Sequence, residues 1–151
     1  MWRAAVLLLC IATAGSAAAG EGPPPEVLFQ QFGLFGTWAR DCAAEASPAN
    51  PYVSISQPAP GVILEDNDIG PDNVVNRYSV LAAKKLSSTR LSLQVIFQPG
   101  KEGEERQTLV WAVKDGTLRT LFNQPQDGPV RVNDGVVVEY GIATPLLRKC
   151  K

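Results

Sequence analysis

The sequence has no histidine, one methionine and only three cysteines among its 151 residues. Without histidine it lacks the commonest general base near neutral pH and the commonest imidazole metal ligand. It also has no glycine-rich phosphate loop, no G-x-S-x-G elbow and no S-x-x-K pair. An enzyme built on this chain would have to work with carboxylates, Lys, Tyr or Ser alone. A non-catalytic protein is therefore expected, with no cofactor and no metal centre. Neither sign of charge dominates: 14 Lys and Arg stand against 15 Asp and Glu. Nucleic acid calls for a basic stripe, so no nucleic-acid partner is expected.

Long apolar runs are absent beyond the first 19 residues. Met1-Trp2-Arg3 gives a short positive start, Ala4 to Ala14 is an uncharged, largely apolar run, and Ser16-Ala17-Ala18-Ala19 offers a small-residue cleavage pattern. This order predicts a signal peptide over residues 1–19, with Gly20 as the first mature residue. The run falls short of the roughly 20 residues that span a bilayer, so stable membrane insertion is not expected. Cleavage removes Cys10 and leaves Cys42 and Cys150. An oxidising compartment, periplasmic or secreted, favours pairing them in a disulfide. A loop of about 110 residues closed in this way is worth roughly 4.7 kcal/mol in the chain-entropy picture.

Residues 20–33 read as a proline-rich arm followed by a short helix, and residues 34–151 as one β domain. Pro25 suits a first helical turn, Glu26 complements its positive end, and Gly33 is a natural stop. Val27, Leu28, Gln31 and Phe32 are placed on one face. From Leu34 onward the pattern alternates, punctuated by turn residues. Leu91, Leu93, Val95 and Phe97 point one way along the run Thr89 to Gln98, and Leu109, Trp111 and Val113 along Glu105 to Lys114. Leu118, Thr120 and Phe122 continue that face after the hairpin signal Lys114-Asp115-Gly116. Asn133-Asp134-Gly135 marks a second hairpin. Eight or nine short strands with short connections leave no room for parallel crossovers. The expected fold is all-β: an antiparallel up-and-down barrel of about eight strands with a short N-terminal helix, or alternatively a β-sandwich.

Three groups of residues are candidates for function. Leu93, Val95, Phe97, Leu109, Trp111 and Phe122 could line a cavity for a small apolar ligand, or pack as an ordinary core. The acidic cluster from Glu65 to Asp72 gathers carboxylates, but its glycine falls one place early for a calcium loop, and Arg77 stands where the closing Glu belongs. A solvated turn is the plainer expectation there. Carboxylate-dependent catalysis by Glu65, Asp66 and Asp68, or with Glu102, Glu104 or Glu105, ranks third among the functions, behind ligand binding and protein binding.

Gly36-Thr37-Trp38, at the head of the first strand and just after the helix, resembles the G-x-W signature of lipocalins and related calycin barrels. The resemblance implies a helix closing one end of a barrel, Trp38 packed at that end, and a basic residue near the C-terminus lying across its ring. Arg148 is the residue expected in that role. The second lipocalin signature, T-D-x-x-Y, is absent. The same features are similar to those of bacterial periplasmic metalloprotease inhibitors, which combine a signal peptide, a G-x-W start, a small eight-stranded barrel and one disulfide. Exported lysozyme inhibitors are small barrels too. On that resemblance the protein would be a binding module for an exported hydrolase, with Gly20 to Pro25 as an arm.

Overall fold

The computed structural model describes residues 22–150; the expected signal peptide and the first two residues of the arm lie outside them. One helix, α1 (Pro25–Gln31), precedes eleven strands: β1 (Gly36–Ala39), β2 (Tyr52–Ala59), β3 (Val62–Asp68), β4 (Asn76–Lys85), β5 (Arg90–Phe97), β6 (Glu105–Lys114), β7 (Thr117–Pro125), β8 (Val132–Asn133), β9 (Val136–Val137), β10 (Ile142–Ala143) and β11 (Leu147–Lys149). β1 to β7 form an antiparallel meander, and β11 pairs with both β7 and β1 to close it into a barrel of eight strands. Closure excludes the sandwich alternative. It also removes the open edges that an eight-stranded meander would otherwise expose.

The closing seam is short. β11 meets β7 only at Leu147–Leu118 and Arg148–Thr117. Beyond Leu118 the same edge of β7 is taken up by β8, at Asn123–Val132. β8, β9 and β10 run outward from there as a small extension of the sheet. The Cys42–Cys150 disulfide fastens the seam from the other side, and the Cys150 backbone N–H donates to the Thr37 carbonyl at 2.8 Å.

α1 plugs the barrel end at which β1 begins. Its buried residues are Leu28 and Phe29, while Val27 is exposed and Phe32 only partly buried. The buried stripe is therefore turned by about one residue from the face expected from sequence. Phe29 is the cause: its ring sits 6.0 Å from Trp111 and 5.8 Å from Phe35, so the helix rolls to bury it. Trp38 is buried at this end, with its indole N–H donating to the Leu34 carbonyl at 2.8 Å. The cation across its ring is Lys149, at 5.6 Å, and not Arg148. Register decides this, because β1 and β11 pair Trp38 with Lys149 and Ala39 with Arg148. Lys149 also donates to the Gly33 carbonyl at 2.8 Å, tying the last strand to the end of the helix. Gly36 has a φ of +122°, and a Cβ there would stand 3.1 Å from the Lys149 side chain. Both the backbone conformation and the approach of Lys149 call for glycine.

Candidate functional site

Alternation along each strand sets what faces inward. In β3 the order Ile63, Glu65, Asn67 puts a carboxyl and an amide on the barrel's inner face, because Ile63 is core and side chains repeat every second residue. β4 sets Tyr78 directly opposite Glu65, and β6 continues Trp111 and Leu109 with Gln107. Beyond Trp111, whose ring meets Phe29 of α1, the inner face therefore mixes apolar and polar walls. It holds a cavity of about 200 Å³ that is partly open to solvent. Val53, Leu109, Trp111, Leu118 and Leu147 supply apolar wall; Glu65, Asn67, Tyr78 and Asn123 supply the polar side; Arg119 and Thr144 also line it.

Glu65 is fully buried. Its Oε1 accepts from the Asn67 side-chain N–H at 2.9 Å, and its Oε2 has no partner among the described residues. Burial pushes its pKa up to about 7; the Asn67 hydrogen bond opposes that rise and the neighbouring Asp66 charge adds to it. Tyr78, packed on Phe97 at 5.1 Å, has its pKa raised by burial and then by the Glu65 charge, so its hydroxyl stays protonated.

Asn123 is oriented by a chain of donors that begins outside the cavity. Arg131 holds both oxygens of Glu105, Gln107 donates to Glu105 Oε1, and Asn123 donates to Gln107 Oε1 at 2.8 Å. Because Glu105 accepts at the head of the chain, each amide must present its N–H toward it. Asn123 Oδ1 is thus turned away, buried and without a partner among the described residues. Three buried side-chain atoms are unpartnered in this way, and two of them, Glu65 Oε2 and Asn123 Oδ1, belong to residues of this one cavity.

The segment over the seam is pinned to β7. Arg119 donates to Thr144 Oγ1 at 3.1 Å and to the Gly135 carbonyl at 2.7 Å, and Thr144 donates to the Thr120 carbonyl at 2.7 Å. Gly135, at a φ of +74°, lies so close to Arg119 that a Cβ would stand 2.9 Å from the guanidinium.

Of the six side chains expected to line an apolar cavity, Leu109 and Trp111 do so. Leu93 and Val95 are buried in the core cluster and do not border the cavity, and Phe97 packs on Tyr78 instead of bordering the void. Phe122 lies on the opposite face. A β-bulge at Leu121 shifts the register, pairing Thr120 with Trp111 but Phe122 with Val110. Asp66 to Asp68, expected as the start of a polar loop after a strand ending at Glu65, continue β3. That strand divides the acidic cluster. Glu65 points inward, Asp66 pairs with Arg77 across to β4 at 2.7 and 2.8 Å, and Asp68 Oδ1 accepts from the Gly70 N–H at 2.9 Å. Among the described residues no group of three His, Cys, Asp or Glu side chains is placed to hold a metal ion.

Glu65 itself was visible from sequence, but only as one of several acids in a turn. Asn67, Tyr78, Gln107 and Asn123 were missed. Extending the alternation two steps, or four residues, past Ile63, and one step before Leu109, would have placed Glu65, Asn67 and Gln107 inside. No protein-family model matches this chain, and no curated protein or solved structure matches it.

Proposed function

We propose that the protein is an exported, non-catalytic binding barrel that takes one small ligand in its interior. The observation that carries this reading is the cavity of about 200 Å³ beside Trp111, in a barrel whose interior is otherwise packed by a core that includes Trp38, Phe29, Leu91 and Leu93. Native interiors are otherwise close-packed, so a void of this size bordered by unpartnered acceptors is a place for an occupant. The volume lies below the roughly 300–1,000 Å³ of drug-sized sites. It suits a ligand with an apolar body against Trp111 and a few polar atoms toward Glu65. Export is supported by the signal-like residues 1–19 and by the Cys42–Cys150 disulfide. Among the described residues no helix is long and apolar enough to cross a membrane.

Binding is favoured over carboxylate-pair hydrolysis because the cavity wall carries a single carboxyl, Glu65, where that chemistry needs two. The reading is tested by adding small aromatic fragments while following the indole N–H signals of Trp38 and Trp111 by NMR. Binding moves the Trp111 signal and leaves that of Trp38 in place. A fragment set that moves neither signal refutes it.

A protein-binding role is the second reading, favoured by the extension of the sheet. Val138, Tyr140, Ile142 and Leu146 are all exposed there, beside β10, the outermost strand. An extended peptide added to that strand would be the mode of contact. Loss of partner capture after Tyr140→Ser and Ile142→Ser, with the Trp111 response intact, would favour it.

A further inference from the structure

The two unpartnered acceptors, on residues that line the cavity, say what kind of ligand it selects. We infer that its occupant is a small protonated amine with a short apolar body, whose N–H groups donate to Glu65 Oε2 and Asn123 Oδ1. This rests on the cavity-binding reading above and narrows it to a chemical class.

Five arguments carry the inference. With Glu65 ionised both unsatisfied groups are acceptors, so the complementary ligand brings donors. The Asn123 amide cannot turn its N–H inward without breaking the chain through Gln107 to Glu105. A purely apolar occupant would leave a buried carboxyl oxygen and an amide oxygen without water or partner, which is the costly arrangement for buried polar atoms. An anionic occupant would meet Glu65; Arg119, which also lines the cavity, gives Nε to Thr144 and an Nη2 N–H to Gly135 and keeps its charge. A cation also resolves the burial of Glu65. A carboxylate desolvated alone is unfavourable, whereas one that faces an ammonium group has its counter-charge inside the site.

The protonation balance is explicit. Below neutral pH the free site holds Glu65 as the neutral acid; binding the ammonium form expels that proton to solvent and leaves a carboxylate–ammonium pair. Other titratable groups near Glu65 are Asp66 on its own strand, neutralised by Arg77; Tyr78 on β4; Arg119 on β7; and the Glu105–Arg131 pair, whose charges reach Tyr78. Burial holds Tyr78 protonated, Asp66 and Glu105 keep their arginine partners, and Glu65 is left to set the pH response near 7.

The experiment compares benzylamine, benzyl alcohol and toluene, three probes of nearly equal shape, on the full disulfide-bonded chain. Binding is read by calorimetry and by the Trp111 indole signal. At pH 8 benzylamine is expected to bind at least tenfold more tightly than either neutral probe. Its affinity should fall about tenfold for each pH unit below 7 and level off above it, while the neutral probes show no such slope. Glu65→Gln should abolish both the preference and the slope. The wild-type pH profile stands as an independent readout should that variant fold poorly. Equal, pH-independent binding of all three probes would overturn the amine inference and leave the cavity reading intact. A silent Trp111 signal with every probe, as for a void that holds water only, would overturn both.

Discussion

Glu65→Gln is expected to stabilise the protein at alkaline pH and to do nearly nothing at acidic pH. The carboxyl titrates at about 7 in the folded chain against 4.5 as its ordinary value, chiefly because burial penalises the charged form. Between those two values the folded state binds a proton that the unfolded state has released, so stability falls as pH rises. At about 1.4 kcal/mol per pH unit, the span from 4.5 to 7 amounts to roughly 3 kcal/mol lost from the wild type by pH 8. Glutamine keeps the shape and can still accept from Asn67, but carries no charge to desolvate. The difference in unfolding free energy between variant and wild type should therefore be near zero at pH 4. It should grow through pH 5 to 7, and level off near 3 kcal/mol in the variant's favour at pH 8. Urea unfolding at matched pH values measures it, and taking the difference cancels every other titrating group. A difference that does not change with pH, or a variant less stable than wild type at pH 8, would refute burial as the cause of the raised Glu65 pKa.

Further predictions follow from other parts of the barrel. Reduction of Cys42–Cys150, or Cys42→Ser, should cost up to about 4.7 kcal/mol, because the bond spans 108 positions of sequence; a melting temperature unchanged by reductant contradicts this. Gly135→Ala forces a left-handed residue and a contact with Arg119, so a loss of about 1–2 kcal/mol is expected, with faster amide exchange from Gly135 to Thr144. Leu118→Phe should fill the void beside Trp111 at little cost, within roughly 1.5 kcal/mol, while removing the response of Trp111 to added probes. Lys149→Met, which removes the cation over Trp38 and the bond to Gly33, should destabilise by about 1–2 kcal/mol in chemical denaturation, and Arg148→Met by much less.

The fold was legible because its signals are local. Alternation in β5 and β6, the Asp115-Gly116 and Asp134-Gly135 turns, and the Pro25 start of α1 each act over a few residues. The disulfide followed from cysteine count and compartment. The site was less legible because it depends on register. A single bulged residue, Leu121, puts Phe122 on the outer face, and a one-place difference in pairing sets Lys149, and not Arg148, over Trp38. The acidic stretch misled for a related reason. Its composition reads as a turn, yet Asp66 to Asp68 are held in β3 by cross-strand partners on β2 and β4, which no local pattern shows. Asn123 is the extreme case: its orientation is fixed by a chain of contacts that ends at Arg131.

The most direct test of the account is a crystal structure of the disulfide-bonded protein soaked in benzylamine above pH 8. The account predicts the ring against Trp111 and the nitrogen about 2.7–3.2 Å from Glu65 Oε2, with Asn123 Oδ1 as a second acceptor. A cavity occupied by ordered water alone, or closed by collapse of its walls onto Trp111, would contradict it.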